Sequence, residues 1–203
     1  MDGITDATAL RDFYGDVSQL AQMKELTRLD KHCRAFIALS PFLVLATSDD
    51  AGRLDASPRG DAPGFVLVLD DTTLLLPDRP GNNRVDSYNN IVANPGVATV
   101  FFVPGIEETL RVNGRARVTT DAALLAAAEA MGKVPRAGLL IDVEQAFFHC
   151  AKALKRSHLW DASRHVDRSA FPSLGKIIAD QTAQISAEEA EARIDDGYRN
   201  RLY

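Results

Sequence analysis

The spacing of apolar positions changes period several times along the chain, and each change marks an element. Between residues 6 and 39 the apolar residues Leu10, Phe13, Tyr14, Val17, Leu20, Met23 and Leu26 recur at steps of three and four, which predicts a helical segment closed by Pro41. The run Phe42 to Thr47 reads as a buried strand, and Asp49-Asp50-Ala51-Gly52 turns it back into Leu54 to Ser57. After a loop at Gly60 to Gly64, Phe65 to Leu69 and Thr73 to Leu76 form a second hairpin around Asp70-Asp71. Helical spacing returns from Asn83 to Ala93, with Asn83 as its candidate cap and Asn94-Pro95-Gly96 as its stop. Strands follow at Val97 to Val103 and at Leu110 to Thr119, the second interrupted by Asn113-Gly114, a pair that suggests a bulge or tight bend. Asp121 caps an alanine-rich helix, Ala122 to Met131, stopped by Gly132. A further strand begins at Ala137 and runs through Val143 towards Phe148. Lys152 to Trp160 reads as a short helix or turn, and Ser186-Ala187-Glu188-Glu189 is a capping box that opens a polar last helix through Tyr198, read as a packing arm.

Short strands with helices inserted among them, rather than strict strand–helix alternation, predict a mainly β protein with helical additions (α+β). The expected architecture is a six-stranded antiparallel barrel; an open α+β sheet is the alternative. The expected organisation is a helical segment at residues 1–40, a barrel at 41–161 and a helical arm at 162–203, within one domain overall.

Composition narrows the class. With 203 residues, 46% apolar and 25% charged, the chain has ordinary globular usage, which excludes disordered, collagenous and disulfide-scaffold classes. A net charge of −5 argues against a protein held to nucleic acid by phosphate neutralisation. Cys33 and Cys150 are far apart and form no CxxC pair, so they read as reduced thiols with no zinc or dithiol chemistry. His32-Cys33 and His149-Cys150 do not make a metal set. The first residues carry acids and no basic segment followed by an apolar run. The longest apolar stretch, Phe36 to Thr47, is split by Ser40-Pro41 and too short for a bilayer, so a cytoplasmic protein without membrane contact is expected.

Three polar clusters are candidates for chemistry. Ser57-Pro58-Arg59-Gly60-Asp61 places a hydroxyl, a guanidinium and a glycine where a strand gives way to a loop, a combination suited to an anion. The plain alternative is a surface turn with Arg59 paired to Asp61. Pro77-Asp78-Arg79-Pro80-Gly81-Asn82-Asn83-Arg84 runs into a helix start, where free N–H groups and the helix dipole favour phosphate. On the hairpin reading the two converge. The third cluster spaces Lys152, Arg156 and Trp160 four residues apart, which puts an aromatic and two cations on one helical face. Phe101-Phe102 and Phe147-Phe148 read as core or dimer interface, and Glu107-Glu108 as a solvated turn. GxSxG, HExxH, P-loop and GxGxxG patterns are all missing.

Taken in order, Ser40-Pro-Phe-Leu-Val-Leu-Ala-Thr47, Ser57-Pro-Arg-Gly-Asp61, Pro77-Asp-Arg-Pro-Gly-Asn-Asn-Arg84, Leu110-Arg-Val-Asn-Gly114 and Phe148-His-Cys-Ala-Lys-Ala-Leu154 resemble the pyridoxamine 5′-phosphate oxidase-like FMN-binding family over about residues 30 to 161. The resemblance is to a bacterial branch of flavoproteins rather than to the vitamin-pathway oxidase, whose substrate-binding C-terminal pattern is not followed after Trp160. It implies a split β-barrel and a homodimer with FMN at the interface. Ser57, Arg59 and Gly60 would lie beside the flavin. Arg79, Asn83 and Arg84 would hold its phosphate, and Lys152, Arg156 and Trp160 would complete the pocket from one subunit or the other. The implied activity is FMN-dependent oxidation or reduction of a small molecule, with a small-molecule substrate or electron donor as partner and no assigned catalytic residue. A non-catalytic flavin or ligand carrier or sensor is the second reading. A nucleic-acid-binding barrel is the third, opposed by the charge.

Overall fold

The computed structural model describes residues 3–203. Seven strands form one sheet: β1 (Phe42–Ser48), β2 (Leu54–Gly60), β3 (Leu67–Val68), β4 (Thr73–Pro77), β5 (Gly96–Val103), β6 (Ile106–Thr119) and β7 (Gly138–His149). Their order is β2-β1-β5-β6-β7-β4-β3. Every pairing is antiparallel. The architecture is the expected antiparallel split barrel with helices, with seven strands rather than six; the two-residue β3 is a stub on the sheet edge.

The sheet is curled. In a flat sheet β2 and β4 would lie five strand spacings apart, roughly 24 Å. Instead Arg79, just beyond β4, places its Nε 2.5 Å from Asp61, just beyond β2. The bend falls at the long β6, which pairs with β5 from Ile106 to Arg115 and with β7 from Thr109 to Thr119, and shifts register against β7 between Asn113 and Gly114. This is the bulge that the Asn-Gly pair predicted. A side chain at Gly114 would collide with the Asp142 carbonyl, so only glycine lets the two strands approach there.

Alternation along the strands fills the interior. β1 buries Leu43, Leu45 and Thr47, and β5 buries Val97, Thr99, Phe101 and Val103. Leu74, Leu76, Leu110, Val112, Leu139 and Ile141 complete one continuous core. Two helices plug it. Helix α3 (Lys31–Leu39), capped by Asp30, contributes Cys33, Phe36 and Ile37. Helix α4 (Asp86–Ala93) contributes Ile91. Burial raises the Cys33 thiol to about 11, as suits an apolar filler.

The helical expectation for residues 6 to 39 is corrected. The segment breaks into α1 (Ala7–Tyr14), α2 (Gln19–Met23) and α3, with left-handed Gly15 ending the first. Phe13, Tyr14, Leu20 and Met23 are exposed, so among the described residues the apolar stripe of the first two helices is left uncovered. Leu26 instead exchanges backbone hydrogen bonds with Ala146, on the part of β7 that extends beyond β4.

The other departures are shorter. α4 starts at Asp86 rather than Asn83, and α5 (Ala122–Ala126) ends five residues before Met131. After β7 come α6 (Lys152–Ser157), two single-turn helices at Ala162–Arg164 and Arg168–Ala170, α7 (Leu174–Thr182) and α8 (Ala187–Asn200). Ser186 caps α8 by accepting from the Glu189 N–H, as the capping box predicts. Among the described residues no helix is long and apolar enough to cross a membrane.

Candidate functional site

Asp55, Ser57 and Arg59 occupy alternate positions of β2, so their side chains share one face. They pair with Thr47, Leu45 and Leu43, all buried, so this is the inner face of the barrel. Arg59 thus lies within a strand, not in a loop. Above it sits Ser87 of α4, 3% exposed. The Ser87 hydroxyl donates to Asp55 at 2.7 Å and accepts from Arg59 Nη2 at 3.1 Å, and it lies 3.1 Å from the Ser57 hydroxyl. Arg59 Nη2 also reaches Ser57 at 3.2 Å. Arg59 Nε is buried with no hydrogen-bond partner, and among the described residues no carboxylate lies within salt-bridge distance of this guanidinium. A half-buried, always-charged group with five N–H donors is therefore met by hydroxyls alone.

The second wall is the loop into α4. Val85 precedes the helix in the left-handed region, φ 50°, and gives no side-chain cap; Asn83 is also left-handed, φ 57°. Asn83 does not cap the helix, because the helix starts three residues later. Left-handed backbone at a β-branched residue costs about 1–3 kcal/mol and persists where the surroundings enforce it. The uncapped first turn of α4 thus offers N–H groups to an anion. Arg84 borders the same turn, but 71% of its side chain is exposed and its Nε pairs with Asp86 at 2.7 Å.

The third wall is neutralised. Arg79 donates through Nε to Asp61 at 2.5 Å and through Nη2 to the Ala128 carbonyl at 3.0 Å. Asp61, with its side chain only 3% exposed, also accepts from the Tyr203 hydroxyl at 2.6 Å and the Ala62 N–H at 2.7 Å. Burial would raise the Asp61 carboxyl. The Tyr203 hydroxyl, the Ala62 N–H and Arg79 together outweigh it and hold the group below its ordinary range. The Tyr203 ring covers Arg79, 5.9 Å from the guanidinium carbon to the ring centre. Asp61 therefore belongs to Arg79, and the Arg59–Asp61 surface pair is not formed.

These walls enclose a cavity of about 270 Å³ into which Ser57, Arg59, Arg79, Asn83 and Arg84 project. Three aspartates, Asp55, Asp78 and Asp86, line it as well. Tyr88 lines it too, its phenol pushed upwards by burial and by Asp78 and so kept protonated. Gly60 is not part of the lining. Its exposed position beside Phe42 and Pro41 leaves it at the strand end.

Lys152, Arg156 and Trp160 do not reach this cavity. Nor do they share one helical face: α6 ends at Ser157, His158 turns left-handed, and Trp160 lies beyond it. The Trp160 indole donates to the Ile106 carbonyl at 2.9 Å and lines a separate open hollow with Leu154, Lys155 and His158. There Lys155 pairs with Glu107, which with Glu108 lies in β6 rather than in the expected solvated turn.

Asp55, Ser87, Tyr88 and Tyr203 are the site residues that sequence reasoning missed. Asp55 was accessible, because Asp-x-Ser-x-Arg on a strand puts three polar groups on one face. Ser87 follows once the helix start is placed at Asp86. Nothing local announces Tyr203, which meets Asp61 from 142 residues away.

The curled antiparallel sheet, with an arginine pocket on its inner face bordered by a helix start, is a split barrel with helical additions. Residues 29–150 match the family model described as pyridoxamine 5′-phosphate oxidase, and the chain belongs to that family. Among solved structures, HupZ of Group A Streptococcus is 22% identical, with 60% of this chain and 99% of that one covered at a TM-score of 0.49. A putative pyridoxamine 5′-phosphate oxidase from Lactobacillus delbrueckii is 25% identical over 62% of this chain and 99% of its own, TM-score 0.47. An FMN-binding protein from Syntrophomonas wolfei is 12% identical over 58% and 83%, TM-score 0.46. No curated protein matches the chain.

Proposed function

We propose that the chain binds FMN, with the phosphate held between Arg59, Ser57 and the first turn of α4, and serves as an FMN-dependent oxidoreductase acting on a small molecule. Arg59 carries this reading: a guanidinium on the inner barrel face with hydroxyl partners only and a buried Nε–H with none. A phosphate monoester supplies the acceptors and charge that Arg59 lacks. The uncapped, strained start of α4 adds backbone donors. Arg84 sits at the rim as a second charge, and Arg79, already paired, fixes the wall.

When bound, the flavin supplies hydride or electron transfer. The chain's own groups bind and orient. Ser57 and Ser87 fix the Arg59 guanidinium, and the protonated Tyr88 phenol offers a donor at the cavity wall. A polar cavity of about 270 Å³ takes a phosphate end but not a flavin ring, which needs an apolar slot.

A second copy of the chain completes that slot in this reading. Val44, Ala46, Ala98 and Val100 line the half-buried outer face of β1 and β5, and the Phe42 and Phe102 rings stand at its end, 6.1 Å apart. An apolar sheet face of this kind is covered by association. Lys152 and Arg156 form no ion pair among the described residues. With Trp160 they are the groups through which the second copy would meet the ligand.

Purified protein soaked with FMN and desalted should show visible flavin absorption and sediment as a dimer. No flavin bands after soaking with excess FMN would overturn the cofactor assignment. Rapid mixing of the loaded protein with NADH, NADPH or a reduced deazaflavin separates the enzyme from a carrier, in which the flavin stays oxidised.

A further inference from the structure

We infer that Tyr203, carried beyond α8 by the helical arm, is a positioning residue for the cavity beside Arg59: it seals the Asp61–Arg79 pair and so holds the loop from Arg79 to Val85 in the shape that bares the first turn of α4. The ligand named for that cavity rests on the FMN reading above, whereas the state of the loop can be observed with nothing bound.

The loop needs support from outside. Among the described residues, no main-chain N–H or carbonyl from Arg79 to Arg84 joins a backbone hydrogen bond, and the Arg84 N–H is met by the Asn82 side chain at 3.1 Å. Asn83 and Val85 are both left-handed, conformations that cost free energy and persist where the surroundings enforce them. Gly81 to Val85 are exposed, so burial does not enforce them. What ties the loop to the barrel is the Arg79 side chain at its start, bonded to the Asp61 carboxylate and the Ala128 carbonyl.

Tyr203 caps that tie. Its hydroxyl donates to Asp61 at 2.6 Å, and its ring covers the Arg79 guanidinium. Lys133 Nζ donates to the main-chain oxygen of Tyr203 at 2.5 Å and draws the tail onto the barrel. Only 17% of the Arg79 side chain stays exposed. Loss of the cover would admit water, raise the local dielectric and weaken the ion pair. The arm has few other holds on the barrel, since α7 and α8 pack mainly on each other, so closely that a side chain at Gly175 would collide with Glu191. Between arm and loop lies an open hollow of about 800 Å³, bordered by Asn82, Asn83, Leu174, Ile194, Tyr198 and Leu202. Asn82 and Asn83 border the arginine cavity too. The loop is thus a partition with open space on both sides, and Tyr203 is where the arm meets its anchor.

The test is backbone ¹⁵N relaxation of the labelled full chain without added FMN, together with FMN release followed by flavin fluorescence. In the unmutated protein the amides of Gly81 to Val85 should have order parameters of about 0.85, the value of rigid backbone; in Tyr203→Ala they should fall below about 0.6 while those of β5 and β6 are kept. FMN should leave Tyr203→Ala roughly tenfold faster, the size of one lost hydrogen bond. Tyr203→Phe keeps the ring over Arg79 but not the hydroxyl, and should fall between. Lys133→Ala, at an exposed position, frees the tail from its other side and should shift both readouts the same way. Should Tyr203→Ala fail to fold, Lys133→Ala carries the test alone. A loop already mobile in the unmutated protein overturns the inference, as does a loop equally rigid in the variants. Mobility spread evenly into β5 and β6 overturns it as well, because Tyr203 is then merely structural, and so does a looser loop with FMN release unchanged. A looser loop in a chain that binds no FMN supports the hold on the loop and overturns the FMN reading.

Discussion

Two walls of one cavity carry an arginine each, and they are opposites. Arg79 has its charge matched: a buried carboxylate on Nε, a backbone carbonyl on Nη2 and an aromatic ring across its face. Arg59 rests on two serine hydroxyls, with a buried Nε left over. Both guanidiniums carry the same charge, so the partner decides the role. The charge of Arg79 is spent on holding the end of β4 against the end of β2. That of Arg59 is available to a ligand.

The contrast can be broken from either side. The largest effect belongs to Asp61→Ala, which leaves Arg79 buried without its carboxylate and should destabilise the fold by about 3–5 kcal/mol in denaturant unfolding. Arg59→Gln should leave stability nearly unchanged while weakening FMN by about 1.5–3 kcal/mol in a fluorescence titration. Equal losses of stability in the two variants would erase the distinction. Val85→Gly relieves the left-handed backbone and should raise stability by about 1 kcal/mol, provided the loop keeps its conformation. Arg84→Ala removes an exposed, solvent-screened pair and should leave the unfolding midpoint unchanged.

Acid sharpens the same comparison. The Asp61 carboxyl is held below its unfolded value of 3.8. Its contribution to stability is therefore complete above that value and is lost as pH falls through the lower folded-state value. A pH series of unfolding midpoints should show this loss, and Asp61→Asn should flatten it. In Arg59→Gln the acid limb should keep its slope, because no carboxylate depends on Arg59.

The barrel was legible because strand burial is local. The apolar runs at Phe42 to Thr47 and Val97 to Val103, the Asp-rich turns and the Asn113-Gly114 bulge each depend on neighbouring residues, and each appears where expected. The N-terminal helices were half legible. Their period is real, yet Gly15 interrupts it, and the apolar stripe of the first two is left uncovered among the described residues. The spacing of Lys152, Arg156 and Trp160 misled for a different reason. A step of four puts residues on one face only while the helix lasts, and α6 stops at Ser157.

By itself the sequence determined the strands, the bulge, the capping box and the identity of the arginines near the cavity, because these follow from periodicity and side-chain chemistry within a few residues. Tertiary structure decided what each arginine does. Asp61 could have served Arg59, two residues away, but successive odd positions of β2 point inwards and the chain turns at Gly60. Closure of the barrel then delivers Arg79 and Tyr203 to the carboxylate first. Arg59 is left without a paired carboxylate because the chain's turn and the barrel's curvature carry Asp61 to Arg79.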